Sequence, residues 1–239
     1  MKFLVLIASI LVGAAAVFLF GQRIDRRFKH LNTFAGAYLL GLTCLALLPE
    51  VFSNIPTEFN PARIGAFVLA GFILQVILEF VSEGIEHGHT HAEEKHLPTG
   101  LLIGLFLHSF LEATPLGNES GTVATDSQTV LLLGISVHNI PVSIVLTSLC
   151  LQCGIARSKT LLILLAFAAM APIGVLAGGI QSFASHHREL QALVIGIFMH
   201  VATTILFESG EGHHYQRSKI TAIIVGLGLA VGTVLLTHH

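Results

Sequence analysis

Two pairs of polar residues stand out because each lies inside an apolar stretch. The first is His108 and Glu112, at the end of Leu101-Leu-Ile-Gly-Leu-Phe-Leu-His-Ser-Phe-Leu-Glu112. Four residues apart, they share one face of a helix. An imidazole and a carboxylate on one face make a half-site for a divalent transition metal. The same two groups also suit a buried His–Glu hydrogen bond that ties helices together, and on this pair alone both readings stand. The second pair is His138 and Asn139, within Gly134-Ile-Ser-Val-His-Asn-Ile-Pro-Val-Ser143. Pro141 has no backbone N–H and clashes with the carbonyl of Val137, so it kinks the helix and frees a carbonyl beside the histidine. Irregular backbone at membrane depth is tolerated only where protein or a water-filled cavity surrounds it. A kink used for packing alone is the other reading. Taken together, His108, Glu112 and His138 with Asn139 supply three or four N/O ligands from neighbouring helices, a number that suits zinc or a similar metal.

Weaker candidates surround these. Glu50 ends one apolar run after Leu47-Leu-Pro49, and Glu208 ends another after Thr203-Thr-Ile-Leu-Phe207. Each is a solvated helix end or a carboxylate at a mouth of a path. His200 lies within a run, where core hydrogen bonding is the safer reading. Glu79 and Glu83 are four apart and lead into a tract holding His87, His89, His91, Glu93, Glu94 and His96. A short His/Glu-rich tract reads as transient metal binding, against the alternative of a solvated loop.

The elements that must position these groups are membrane helices. Of 239 residues, 53% are hydrophobic and only 11% are charged. Soluble domains carry about a quarter charged residues, so the solvent here is lipid. The formal net charge of −2 gives no reason to expect nucleic-acid binding. Cys44, Cys150 and Cys153 make no disulfide framework. A spanning helix needs roughly 20 mostly apolar residues. The candidates are Phe3–Phe20, Leu31–Phe52, Ile64–Ile85, Thr99–Thr114, Thr129–Gln152, Thr160–Ala184, Leu190–Phe207 and Ile220–Thr237. The expected fold is an all-α, polytopic transmembrane bundle of about eight spans, forming one domain over residues 1–239. The first span reads as a retained helix rather than a signal peptide, with no clear cleavage site before Gln22-Arg23. Arg23, Arg26, Arg27, Lys29, Lys95, Arg157, Lys159, Arg217 and Lys219 fall in loops on one side; Lys2, Arg63 and Arg188 fall on the other. The positive-inside bias therefore puts the N-terminus and C-terminus outside and the His-rich loop, about 86–98, in the cytoplasm.

Beyond the residues themselves, the fourth and fifth spans resemble those of the ZIP (Zrt/Irt-like) metal transporters. The fourth-span pattern of that family is H-N-x-x-[DE]-G, and here it reads His108-Ser109-Phe-Leu-Glu112-Ala113. The fifth-span pattern is H-[NKED]-x-P-E-G, and here it reads His138-Asn139-Ile-Pro141-Val142-Ser143. Leu47-Leu-Pro-Glu50 and the passage from Phe80 to His91 are also similar to the family, in order along the chain. The resemblance, to bacterial-type members, implies eight spans and both termini outside. It also implies a cytoplasmic His-rich loop and a metal site between the fourth and fifth spans. It makes His108, Glu112 and His138 the primary ligands, with Asn139 at a second position or on the polar path. Two departures matter: Val142 stands where many members have a carboxylate that bridges two metals, and Ser109 replaces the usual Asn. One metal is therefore expected, with Ser109, Asn139 and Ser143 as weaker partners.

The expected activity is passage of a divalent metal into the cytoplasm: zinc first, then iron, manganese or cadmium. The metal is cargo, and no catalytic cofactor is expected. Glu79, Glu83 and the histidine loop would receive the ion. No GxxxxGK[ST] sequence is present, so the ion gradient, the membrane potential or cytoplasmic buffering would drive it. The expected setting is the cell (inner or plasma) membrane, and a homodimer is a candidate assembly. Two rival readings are an intramembrane zinc-dependent hydrolase, in which Glu112 would be the base, and a metal sensor that does not transport.

Overall fold

The computed structural model describes residues 1–21, 25–53, 60–81, 97–117, 125–207 and 217–237, leaving aside the side chains of residues 25–29 and 125–126. The chain is all-helical there. Ten α-helices follow one another: α1 (Lys2–Phe20), α2 (Asp25–Leu42), α3 (Leu48–Val51), α4 (Pro61–Val81), α5 (Thr99–Ala113), α6 (Thr125–Gln152), α7 (Arg157–Gly178), α8 (Gln181–Ala184), α9 (His187–Phe207) and α10 (Arg217–Thr237). A π-helical stretch, Thr43–Leu47, joins α2 to α3, and a 3-10 turn, Thr114–Gly117, extends α5. Among the described residues, eight helical segments are long and apolar enough to cross a membrane, as expected from the sequence. Only a helix satisfies its own backbone polar groups in lipid without a partner strand, so apolar runs of this length become helices.

Several helices start a turn or so before the expected residue, among them α2 at Asp25, α6 at Thr125 and α7 at Arg157, and two spans differ in form. The sixth span stops at Gly178, and residues beyond Ile180 form the separate short helix α8, instead of one helix running to Ala184. Apolar residues continue past Gly178-Gly179, which hid the break. The second span is also not uniformly α-helical. Pro49 sits in the first turn of α3 and has no N–H to give to a preceding carbonyl. The π-helical stretch before it absorbs the mismatch, with Leu48 N–H donating five residues back to Thr43 O.

The spans divide into inner and outer members. In the seventh span 61% of the most apolar window is buried, against 11% in the eighth, so the rest of the chain leaves most of the surface of α10 uncovered. The principal packing pairs are α4 with α9, α2 with α10, α1 with α6, and α5 with α7. Small residues let these backbones approach, the usual device where lipid supplies no hydrophobic drive between helices. The α4–α9 crossing is reciprocal. A Cβ on Gly71 would run into the Leu193 carbonyl, and one on Gly196 into the Val68 carbonyl. One apolar cluster gathers residues of α1, α2, α6, α7 and α9, among them Leu6, Leu39, Ile135, Ala171 and Phe198. A second joins Ile10, Leu101, Leu105, Leu146, Leu164 and Phe167 from α1, α5, α6 and α7. The polar site lies where α4, α5 and α6 bring side chains together.

Candidate metal site

α5 supplies two of the polar groups. Its register places His108 and Glu112 on one face, and His108 Nε2 stands 2.6 Å from Glu112 Oε1. α6 supplies the third. The rings of His138 and His108 meet edge to face, with centroids 5.9 Å apart. One ligand atom from each of His108, Glu112 and His138 lies within 4.8 Å of the others, and all three side chains are buried. Two imidazoles and a carboxylate converging at that range can hold a tetrahedral or octahedral divalent ion, with other positions left for water.

A fourth residue, not anticipated from the sequence, completes the arrangement. Gln75 of α4 is fully buried, and its Oε1 is 2.8 Å from His108 Nδ1. A carboxamide oxygen only accepts, so Nδ1 carries the hydrogen and donates it. That leaves the Nε2 lone pair turned toward Glu112. A lone pair and a carboxylate oxygen 2.6 Å apart require a positive charge between them. A divalent metal ion is one group that could supply it. The sequence signal for Gln75 was its spacing: it lies four residues before Glu79 in an otherwise apolar run, so both share one face of α4.

The other candidates separate into groups. Ser109 and Asn139 are buried, and Ser109 Oγ, Asn139 Nδ2, Ser136 Oγ and Glu112 Oε2 have no hydrogen-bond partner among the described residues. Such atoms are costly in a dry interior and suit a passage that holds water or a hydrated ion. Ser143 is different. It donates to Ile140 O at 2.9 Å and lies against Gly13 of α1, so it serves helix packing. Val142, one turn beyond His138, packs against the second apolar cluster.

Glu79 and His200 meet each other rather than the first site. His200 Nε2 and Glu79 Oε2 are 2.5 Å apart, joining α4 to α9, with Phe72 edge-on to the imidazole. Glu50 accepts from Gln191 Nε2 at 3.1 Å at the opposite end of the bundle. There Arg188 also donates to the carbonyls of Val51 and Ser53, and Arg63 pairs with Glu189 at 2.9 Å. These contacts bind the end of the second span and the start of α4 to α9. Glu83, Glu208 and the tract with His87, His89 and His91 lie outside the described residues.

Comparison with known proteins agrees with this architecture. The family model described as "ZIP Zinc transporter" matches residues 98–236, which includes α5, α6 and the site residues they carry. The chain is similar to zinc transporter ZIP9 of Micropogonias undulatus, 24% identical over 201 residues, covering 74% of this chain and 65% of that protein. It is likewise similar to zinc transporter ZIP9-B of Xenopus laevis, 22% identical over 200 residues, covering 74% of this chain and 66% of that protein. The matched region thus spans just under two thirds of either relative's own length. With more than half of its residues inside the family model, an all-helical bundle and a buried His–Glu–His cluster, the chain belongs to the ZIP zinc transporter family.

Proposed function

We propose that residues 1–239 act as one transmembrane unit that carries divalent transition-metal ions, zinc first, into the cytoplasm. The observation that carries this reading is the convergence of His108, Glu112 and His138 at buried positions on two neighbouring spans. Ionisable groups at membrane depth are expensive and mark ion pathways. Zinc prefers imidazole with one or more anionic ligands, which is the donor set offered. Iron, manganese and cadmium also bind nitrogen and oxygen donors, and they rank after zinc. Family membership removes the hydrolase reading, since the family is one of transporters.

One ion at a time fits the chain better than two. Val142 offers no donor and belongs to an apolar cluster, so Glu112 is the anion of the site. Two neutral imidazoles and one carboxylate leave a bound divalent ion with a net charge of +1. An ion held with its charge incompletely matched in a medium of low dielectric leaves readily, which suits passage more than storage. Glu79, Glu83 and the histidines at 87, 89 and 91 would take the ion onward on the cytoplasmic face. The positive-inside bias supports that orientation and a place in the cell membrane, and a homodimer is compatible with it.

Acid should oppose this transport. Histidine ligands must shed their protons to bind metal. With the interior held at constant pH, sub-saturating zinc flux into vesicles should fall as the outer pH drops from about 7.5 to about 5.5. A flux that stays flat over that range would refute the two-histidine site.

A further inference from the structure

We propose that Gln75 is a positioning residue for the metal site, acting through His108 from a third helix. The inference rests on the reading of His108 as a metal ligand. It adds what holds that ligand in register. Three observations carry it. Gln75 lies inside a lipid-crossing helix yet is completely buried, so its carboxamide faces protein and not the bilayer. Its Oε1 accepts from His108 Nδ1 at 2.8 Å. The other ring nitrogen of His108 is the one aimed at Glu112, 2.6 Å away.

The chemistry follows from the ring. A neutral imidazole carries one proton, and the nitrogen without it is the donor to a metal. Two tautomers and two ring orientations compete for an unrestrained histidine. Gln75 selects one tautomer, since only Nδ1–H satisfies its carbonyl oxygen, and Nε2 is left as the ligand. The ring is fixed as well, because a flip would take the N–H away from the acceptor. A metal-bound histidine generally passes its other N–H to a carboxylate, a carbonyl or water, and loss of that acceptor typically lowers metal affinity about 10–100-fold. Here the acceptor is a carboxamide. It orients the ring without adding a second negative charge, which keeps Glu112 as the anion of the cluster.

The location of Gln75 matters too. α5 and α6 carry the ligands, whereas α4 carries the group that orients one of them. One turn further along the same face of α4, Glu79 holds His200 of α9. The aim of His108 is therefore set by where α4 sits between α5 and α9. A displacement of α4 against α5 would release the histidine without touching any ligand.

The test is zinc binding by the purified full chain in detergent, read by competition with a chromophoric chelator. Gln75→Leu should weaken zinc about 10–100-fold. Gln75→Glu, which keeps an acceptor oxygen in the same place, should bind at least as tightly as the wild type. The same Gln75→Leu change placed on His108→Ala should alter affinity less than twofold, because the residue it acts through is gone. Wild-type affinity in Gln75→Leu would overturn the proposal, and so would an equal loss in the His108→Ala background. If Gln75→Leu fails to fold, Gln75→Asn, which draws the acceptor back from the ring, should show the weakened binding in its place, and wild-type affinity there would overturn the proposal equally. Tight zinc binding by His108→Ala alone would overturn the underlying site assignment, an outcome separate from either result at Gln75.

Discussion

Replacing Glu112 with Gln should reduce zinc flux at least about 100-fold, equivalent to about 2.7 kcal/mol of lost ion stabilisation, while the protein remains folded. The substitution keeps shape and burial and removes only the charge. Glu112 is completely buried and lies within 2.6 Å of His108 Nε2. Without it, a divalent ion between two neutral imidazoles has no counter-charge, and moving an unpaired charge into such an interior costs several kcal/mol. The change should not unfold the chain, because an amide in place of a buried carboxylate removes a desolvation cost. Flux should be measured against surface or vesicle content of each variant. Near-normal flux in Glu112→Gln would remove the carboxylate from the ion's path.

The second large effect concerns the scaffold. Gly71→Val and Gly196→Val should each destabilise the bundle by about 3 kcal/mol or more, at the upper end of what overpacking costs. Each new side chain would meet a backbone carbonyl of the opposite helix, and a carbonyl within a helix has no freedom to withdraw. α4 and α9 would then separate, and the Glu79–His200 pair that spans them would be lost. The two substitutions act on one crossing, so their combined effect should fall short of the sum. Thermal unfolding in detergent reads the result. A Gly228→Val control, at a position with open space around it, should cost little. Equal stability of Gly196→Val and Gly228→Val would contradict the packing described here.

How much of this could be read from sequence depends on the kind of signal each feature leaves. His108, Glu112 and His138 were visible because ionisable residues in apolar runs are rare, and their convergence followed from helical spacing and the adjacency of the two spans. Gln75 was missed because an uncharged amide in an apolar run carries no such alarm, and its partner lies 33 residues away. The helices themselves were plain from length and composition. Their pairing was not. Gly71 and Gly196 are ordinary glycines until the crossing of α4 and α9 brings each against the other helix's carbonyl. The π-helical stretch before Pro49 was hidden for a related reason. A proline announces a local fault in hydrogen bonding, but several backbone solutions are open, and packing around Thr43–Leu47 chooses among them. His200 was read as a core hydrogen-bonding group, and the structure gives it that bond. That its partner is Glu79 depends on the same crossing.

On the proposed reading, metal passes through the His108–Glu112–His138 cluster. The most direct test of that reading is zinc flux into proteoliposomes, followed by a trapped fluorescent indicator, in the wild type and in His108→Ala. Flux should be saturable in the wild type and lost in the variant. Equal flux in the two, or none in a folded wild type that binds zinc, would contradict it; the latter result would point to a sensor rather than a carrier.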